Sequence, residues 1–367
     1  MIFIAGGTLA FFFELLLLGK KNKCLCDKIL AFWMFVMGIH LFSYYFSNTD
    51  QFLKYPHIAG MVNPLPLIHG PLLFLYTGSV TRFFSKWKSK YLLHFIPVVV
   101  FAFIYIDYFV SPGQETLPFI KNFSRNQYNL YGLFYPSILI SGFSYISLTW
   151  LLFRRHRRNI LNTLSNFNDK NNLHWLRNIL IGMLSIWVVV FINKSVFHSP
   201  VDDIIYITVS LFVVFIGFFG FRQGGIFMNL PDGYLIEGLI QDNRQRYLKS
   251  GLKKERADEI IQQLKELMAE KKLFLDENIS LPQLADIINI HPNYLSQVIN
   301  ERFHKNFYDF INSFRVEEFK RIVSIEKNRN KTFYALALDC GFNSKASFNN
   351  SFKKITGTTP TEFVKSL

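Results

Sequence analysis

The sequence predicts an all-α chain in two parts: a polytopic seven-helix membrane bundle, followed by an all-helical domain built on two helix-turn-helix motifs. Three observations predict it. Seven apolar stretches of near-bilayer length occupy residues 1–221. Basic residues crowd into alternate loops between those stretches. Residues 273–367 return to an ordinary charged composition and carry two similar patterns of a small residue, a turn and a polar helix. The composition agrees: the 367 residues are 50% hydrophobic and only 18% charged, where soluble domains carry about a quarter charged residues. An all-soluble chain is thereby excluded, and the step in composition falls near Arg222.

A helix needs about 20 mostly apolar residues to cross about 30 Å of hydrocarbon. Residues 2–18, 29–47, 58–80, 91–110, 131–153, 179–197 and 204–221 meet or approach that length. The first is short and contains Glu14. It lacks the positive residues before the apolar core and the small-residue cleavage site that mark a signal peptide. Its basic cluster comes afterwards, at Lys20, Lys21, Lys23 and Lys28, so an uncleaved helix with its N-terminus outside is expected. Arg82, Lys86, Lys88 and Lys90, then Arg154, Arg155, Arg157 and Arg158, fill the next two inner loops. The outer loops hold Asp50 with Lys54, Glu115 with Lys121 and Arg125, and Asp202 with Asp203. This alternation follows the positive-inside rule and delivers the chain after Phe221 to the cytoplasmic side of the membrane. Most of the net charge of +14 thus belongs to orientation on the lipid bilayer. The basic run at 154–158 reads as a headgroup anchor.

Ionisable groups inside spans are costly and mark candidate sites. Glu14, His40, His69, Asp107 and Lys194 are such groups, and Asp107 and Lys194 lie near span ends where they can snorkel. The third stretch adds Asn63-Pro64-Leu65-Pro66 and Gly70-Pro71, whose prolines free backbone carbonyls inside a bundle. Glu14, Asn63 and His69 are the candidate ligand positions. The longest outer loop is 111–130, so the expected stimulus is a small molecule or lipid reaching the bundle, or a small partner at its rim. Cys24, Cys26 and Cys340 fall on segments assigned to the cytoplasm, where thiols stay reduced. Cys24 and Cys26 lack a second pair of ligands nearby, and no metal or cofactor is expected.

Residues 222–272 form the link. Gly224-Gly225 and Pro231-Asp232-Gly233 mark turns, and a helix is expected over 253–272. Its apolar stripe, Ala257, Ile260, Ile261, Leu264, Leu267 and Met268, serves either to pack on the following domain or as the seam of a homodimer that relays the membrane state.

Residues 281–300 read LPQLADIINIHPNYLSQVIN. Two helices that cross closely need a small residue at the contact, and Ala285 supplies it. Leu284, Ile288, Ile290, Leu295 and Val298 take buried positions. Ser280 suits an N-cap, and Pro292 the first turn of the second helix. That second helix is expected to present Pro292, Asn293, Tyr294, Ser296, Gln297 and Asn300 to double-stranded DNA. The pattern recurs at 333–352, FYALALDCGFNSKASFNNSF. Ala337 is its contact residue, Gly341 its left-handed turn, and Phe342, Phe348 and Phe352 its core anchors. Asn343, Ser344, Lys345, Ser347, Asn349, Asn350 and Lys353 form the second expected DNA-facing set. A helix over 307–325 joins the motifs and spans about 28 Å, enough to place them in successive major grooves about 34 Å apart.

With these residues in place, the segment ALDCGFNSKASFNNSFKKITGTTPTEF resembles the C-terminal signature of AraC/XylS transcription regulators. Gly341-Phe342, Phe348, Phe352-Lys353-Lys354, Gly357, Pro360 and Phe363 stand at matching places, and the resemblance covers 276–367. The stretch 66–76, PLIHGPLLFLY, is similar to the sensor part of seven-helix AraC-type proteins of Bacteroidetes. The resemblance implies a membrane-anchored one-component regulator that binds specific DNA under control of a sensed signal. One departure concerns charge: Asn349 and Asn350 stand where that family often carries Arg. Residues 276–367 hold 12 Lys/Arg against 10 Asp/Glu, so modest affinity is expected, helped by a dimer or several sites. The alternative is a membrane transporter or enzyme whose tail is only a regulatory or protein-interaction module. HExxH, GxSxG, a Walker lysine loop, paired intramembrane carboxylates and an internal repeat are all lacking, which disfavours it.

Overall fold

The computed structural model describes residues 1–47, 49, 64–84, 86–104, 134–166, 174–197, 202–223, 254–326 and 330–366. Among the described residues the regular elements are helices, with no strand and one isolated antiparallel bridge, Leu164 to Ser280. The chain divides into two compact units. The first takes Met1–Arg154 and His174–Asn229, the second Arg155–Leu173 and Leu230–Leu367.

The first unit contains α1 (Ile2–Leu18), α2 (Leu25–Ser47), α3 (Pro66–Val80), α4 (Ile96–Ile104, preceded by a 3-10 turn over Ser89–Phe95), most of α5 (Phe134–Thr163), α6 (His174–Phe191, continued by a π turn over Ile192–Val196) and α7 (Asp203–Gln223). Among the described residues, four helical stretches are long and apolar enough to cross a membrane: Leu25–Phe46, Phe134–Thr163, His174–Val196 and Asp203–Phe221. Ile2–Leu18 and Ser89–Ile104 are apolar but shorter. The remainder of the expected third and fourth spans, with Asn63 and Asp107, lies outside the described residues. Large apolar side chains face outward on several of these helices, among them Leu15, Phe103, Ile140, Leu151 and Leu211, each more than 60% exposed. A surface of this kind suits lipid rather than water. Inside, α1 and α2 interlock through small residues: a Cβ at Gly7 would sit 2.7 Å from the Phe42 ring, and one at Gly38 2.8 Å from Phe11.

One difference from the sequence reading concerns α5. The expected span stops at 153, yet the helix runs on through Arg154-Arg155-His156-Arg157-Arg158 to Thr163. Nothing in RRHRRNILNT breaks a helix, and arginine and leucine propagate one well. The charged run is therefore helical rather than a loop, and its end belongs to the second unit.

The second unit contains α8 (Lys254–Glu266, extended by a π turn over Leu267–Lys271), α9 (Leu281–Ile287), α10 (Pro292–Phe303), α11 (Phe307–Val323), α12 (Phe333–Asp339), α13 (Lys345–Thr356) and α14 (Pro360–Lys365). It holds two cores on one rod. Phe307, Phe310 and Ile311, on the first half of α11, join Leu284, Ala285, Leu295 and Val298. Val316 and Phe319, on the second half, join Leu336, Ala337, Phe342, Phe348 and Phe352. Ala257, Ile260, Leu264 and Met268 of α8 are buried in the first core, with Ile261 and Leu267 packed against it. The α8 stripe thus finds its partner surface within the unit. The turn-containing part of the link, 224–253, lies outside the described residues.

Candidate nucleic-acid interface

The two motifs are built the same way. Ser280 caps α9 in a capping box with Gln283, and Thr332 caps α12 by accepting the Ala335 amide. Each first helix closes on a left-handed residue four places after its small contact residue. Asn289 has φ +54° after Ala285, and Gly341 φ +89° after Ala337. The next amide then reaches back to the alanine carbonyl, Ile290 to Ala285 and Phe342 to Ala337, both at 3.0 Å. Both alanines are fully buried, as close helix crossing requires. Gly341 also needs its missing side chain, since a Cβ there would stand 2.6 Å from the Phe274 carbonyl. The two second helices match as well. Each has 12 residues and ends on a left-handed cap, His304 for α10 and Gly357 for α13.

The structure sorts the expected DNA-facing residues into three groups. Tyr294 on α10 and Lys345, Asn349, Asn350 and Lys353 on α13 are exposed. Pro292, Asn293, Asn300, Asn343 and Ser344 are half-buried. Ser296, Gln297 and Ser347 are buried, at 2%, 6% and 5% exposure, against the expectation that they face outward. The reason is that each recognition helix is gripped on more than one side. Besides its contacts with α9 and α11, α10 packs against α8, with Arg302 paired to Asp258 at 3.1 Å. On α13, Ser347 and Ser351 lie 3.0 and 3.1 Å from the buried Tyr308 hydroxyl of α11. Several half-buried groups are engaged locally. Ser344 caps α13 through the Ser347 amide, and the Asn300 amide nitrogen donates to the Ser296 carbonyl at 2.7 Å. His291, which sequence reading passed over, is exposed and caps α10 by accepting the Asn293 amide at 3.2 Å. Its place immediately before Pro292 was the available signal.

Electrostatics add a fixed frame. Glu318 on α11 accepts from Arg321 and Lys272, and these bonds hold its carboxyl down at about 2. Lys354 is tied to Asp309 at 2.6 Å, which leaves Lys345 and Lys353 as the cations on α13 for which no ion pair is seen among the described residues.

In the first unit, only two of the three candidate ligand positions, Glu14 and His69, fall on described residues. Asn63 lies outside the described residues, and Glu14 is half-buried on α1 away from any cavity wall described. His69 sits in a buried polar chain. Trp33 Nε1 donates to His69 Nδ1 at 3.1 Å, His69 Nε2 lies 3.0 Å from His40 Nδ1, and the Tyr206 hydroxyl lies 3.0 Å from His40 Nε2. His40, His69 and Tyr206 line a cavity of about 150 Å³, and Lys194 and Asp202, paired at 2.6 Å, line it too. Lys194 is thus held by a carboxylate as well as lying near a span end. Cys24 and Cys26, expected as reduced thiols, are joined in a disulfide beside Asp27, which is paired with Lys20 at 2.7 Å.

Comparison with known proteins bears on the second unit. Residues 284–366 match a family model described as "Helix-turn-helix domain". The chain is 35% identical over 86 residues to the uncharacterized HTH-type transcriptional regulator YobQ of Bacillus subtilis (strain 168), covering 23% of this chain and 34% of that protein. It is 30% identical over 92 residues to an uncharacterized HTH-type transcriptional regulator of Staphylococcus aureus (strain COL), covering 25% of this chain and 12% of the relative. The chain therefore spans about a third or less of the length of these relatives. No solved structure matches. Residues 284–366 are accordingly a helix-turn-helix domain of the kind found in HTH-type transcriptional regulators.

Proposed function

We propose that the chain is a membrane-anchored, one-component transcription regulator of AraC/XylS type. Its second unit binds specific double-stranded DNA through α10 and α13, and its seven-span first unit senses a small-molecule or lipid signal. The observation that carries the reading is the pair of equivalent helix-turn-helix motifs on one connecting helix. α11 has 17 residues, about 26 Å at 1.5 Å each, the same order as the about 34 Å between successive major grooves on one face of the duplex. The base-reading set is Asn293, Tyr294, Asn349 and Asn350, with Lys345 and Lys353 on phosphates and the other expected residues in supporting places. Asparagine can bond adenine edges in pairs, and lysine neutralises phosphate.

For the signal, the cavity beside His40 and His69 is the favoured receiver. Its lining is mainly apolar, with a few polar groups among it, the usual composition of a small-molecule site. With the α8 stripe packed internally, a homodimer rests on the near-balanced charge of the tail, which calls for more than one contact point on DNA.

The test is selection by the full-length chain, in detergent micelles, from a pool of randomised duplexes. The expected product is a bipartite motif whose halves are centred about 10 base pairs apart. No enrichment, or enrichment insensitive to Asn349→Ala and Tyr294→Ala together, sinks the reading.

A further inference from the structure

Arg315, in the middle of α11, is 0% exposed. It forms no direct ion pair with a carboxylate among the described residues, although the charges of Asp276 and Glu277 act on it. A buried guanidinium without a counter-ion is tolerated only if its five donors all find oxygens, and here they do. Nε donates to the Phe274 carbonyl at 2.7 Å, and Nη2 to the Asp276 carbonyl at 2.8 Å. Nη1 also reaches Asn312 Oδ1 at 3.2 Å. The remaining acceptors come from a residue 150 positions away: Nη1 bonds the Ser165 carbonyl at 3.0 Å, and Nη2 the Ser165 hydroxyl at 3.1 Å.

Ser165 does not arrive alone. Asn312 Nδ2 donates to the same Ser165 carbonyl at 3.1 Å. Asn166 Nδ2 donates to the Glu277 carbonyl at 2.8 Å and the Gly341 carbonyl at 2.9 Å. Leu164 forms the bridge to Ser280. Ser165 and Asn166 are 1% and 7% exposed. Glu277 belongs to the lead-in of the first motif, and Gly341 is the left-handed turn of the second. One side-chain amide thus ties both motifs together at their junction. Ser165 and Asn166 follow directly on α5, the helix that begins in the first unit at Phe134.

We propose that the junction of the two helix-turn-helix motifs is a docking site for the chain's own segment 164–166, and that α5 passes the membrane state to the recognition helices through it. This rests on the regulator reading above. Docked, the segment holds the two motifs in one relative orientation, pre-organised for a bipartite duplex. Withdrawn, it leaves two Arg315 donors without their partners and frees the motifs from each other. Asn166 Oδ1 is buried without a hydrogen-bond partner, a deficit that keeps the seat releasable.

The test is hydrogen–deuterium exchange on the full-length chain in detergent, comparing wild type with Asn166→Asp, which sets a carboxylate against two carbonyls, and with Asn312→Ala. Both variants are expected to speed exchange about tenfold at 274–280 and 338–343 together with 160–166, while α10 stays protected. A variant that loses protection in α10 as well has unfolded, and Asn166→Ser then takes its place. Changes confined to 160–166 overturn the docking. In a second arm, affinity for the selected bipartite duplex is expected to fall about tenfold, within the range of an allosteric coupling, with isolated half-site duplexes bound as before. Coupled exchange with unaltered bipartite affinity overturns the relay. If the wild-type chain selects no duplex, the regulator reading fails, and the exchange arm still decides the docking.

Discussion

Gln297 shows how one residue changes meaning between sequence and structure. Its amide nitrogen donates to Glu301 at 3.2 Å, and a carboxylate only accepts, so the orientation of the amide is fixed. Its carbonyl is then buried with no partner. Gln297→Met is expected to raise thermal stability, since an unsatisfied buried acceptor costs about 1–3 kcal/mol, and to leave base preference unchanged. A melting curve of the full chain beside binding to matched and single-substituted duplexes checks both points. A fall in stability, or a relaxed base preference, returns Gln297 to the reading set. At Asn349 and Lys353 of α13, where exposure and expectation agree, Asn349→Ala should relax base preference at one position by about 1–3 kcal/mol. Lys353→Ala should weaken all duplexes alike and flatten the salt dependence by roughly one counterion. Identical profiles for these two variants on matched and scrambled duplexes would falsify the division between base and phosphate contacts. The exposed residues of α13 were legible because buried Phe348 and Phe352 fix its phase. Ser347 was misread because a serine beside a core tyrosine looks, in sequence, like any other surface serine.

Among the elements, the helices with caps and turn residues were the readable ones. Ser280, Pro292, Ala285, Ala337 and Gly341 each meet a local backbone requirement, and local requirements leave local marks. α8 was readable as a helix but not in its use, because an apolar stripe does not name the surface that covers it. The structure buries Ile260 and Leu264 completely in the first core. Leu264→Ala should therefore cost about 2–5 kcal/mol of stability, as for other core leucines, and Leu264→Asp should unfold the first motif. Lys265→Asp, on the exposed side of α8, should be tolerated. Circular dichroism and melting of the three purified chains give the comparison. A folded Leu264→Asp chain that has lost only regulation would restore the stripe to a dimer seam. The extension of α5 to Thr163 was hidden for a different reason: a basic run after an apolar one reads as a loop anchor, and hydropathy carries no sign that the helix persists through it.

At the scale of the whole molecule, the division between an apolar first part and a charged second part was plain in composition, whereas the membership of 155–173 in the second unit was not. Contacts such as Asn166 with Gly341 join residues 175 positions apart, and no periodicity or spacing records them. The proposed orientation of the chain in a membrane is nonetheless open to a test that depends only on charge. If the inner loops are those holding Lys20–Lys28, Arg82–Lys90 and Arg154–Arg158, reporter fusions after Lys90 and Asn159 should show cytoplasmic activity. A fusion at Gln114 should show external activity. The physical stake is high, because the HTH unit needs DNA on its own side of the bilayer, and the membrane parity decides which side that is. Moving the basic residues should move the result. Replacing Lys86, Lys88 and Lys90 together by glutamine ought to raise external signal from the Lys90 fusion while Asn159, guarded by four arginines, stays inside. The opposite wild-type pattern, with Gln114 inside and Asn159 outside, would strand α10 and α13 away from any chromosome and end the regulator reading, whatever the purified chain binds in a tube.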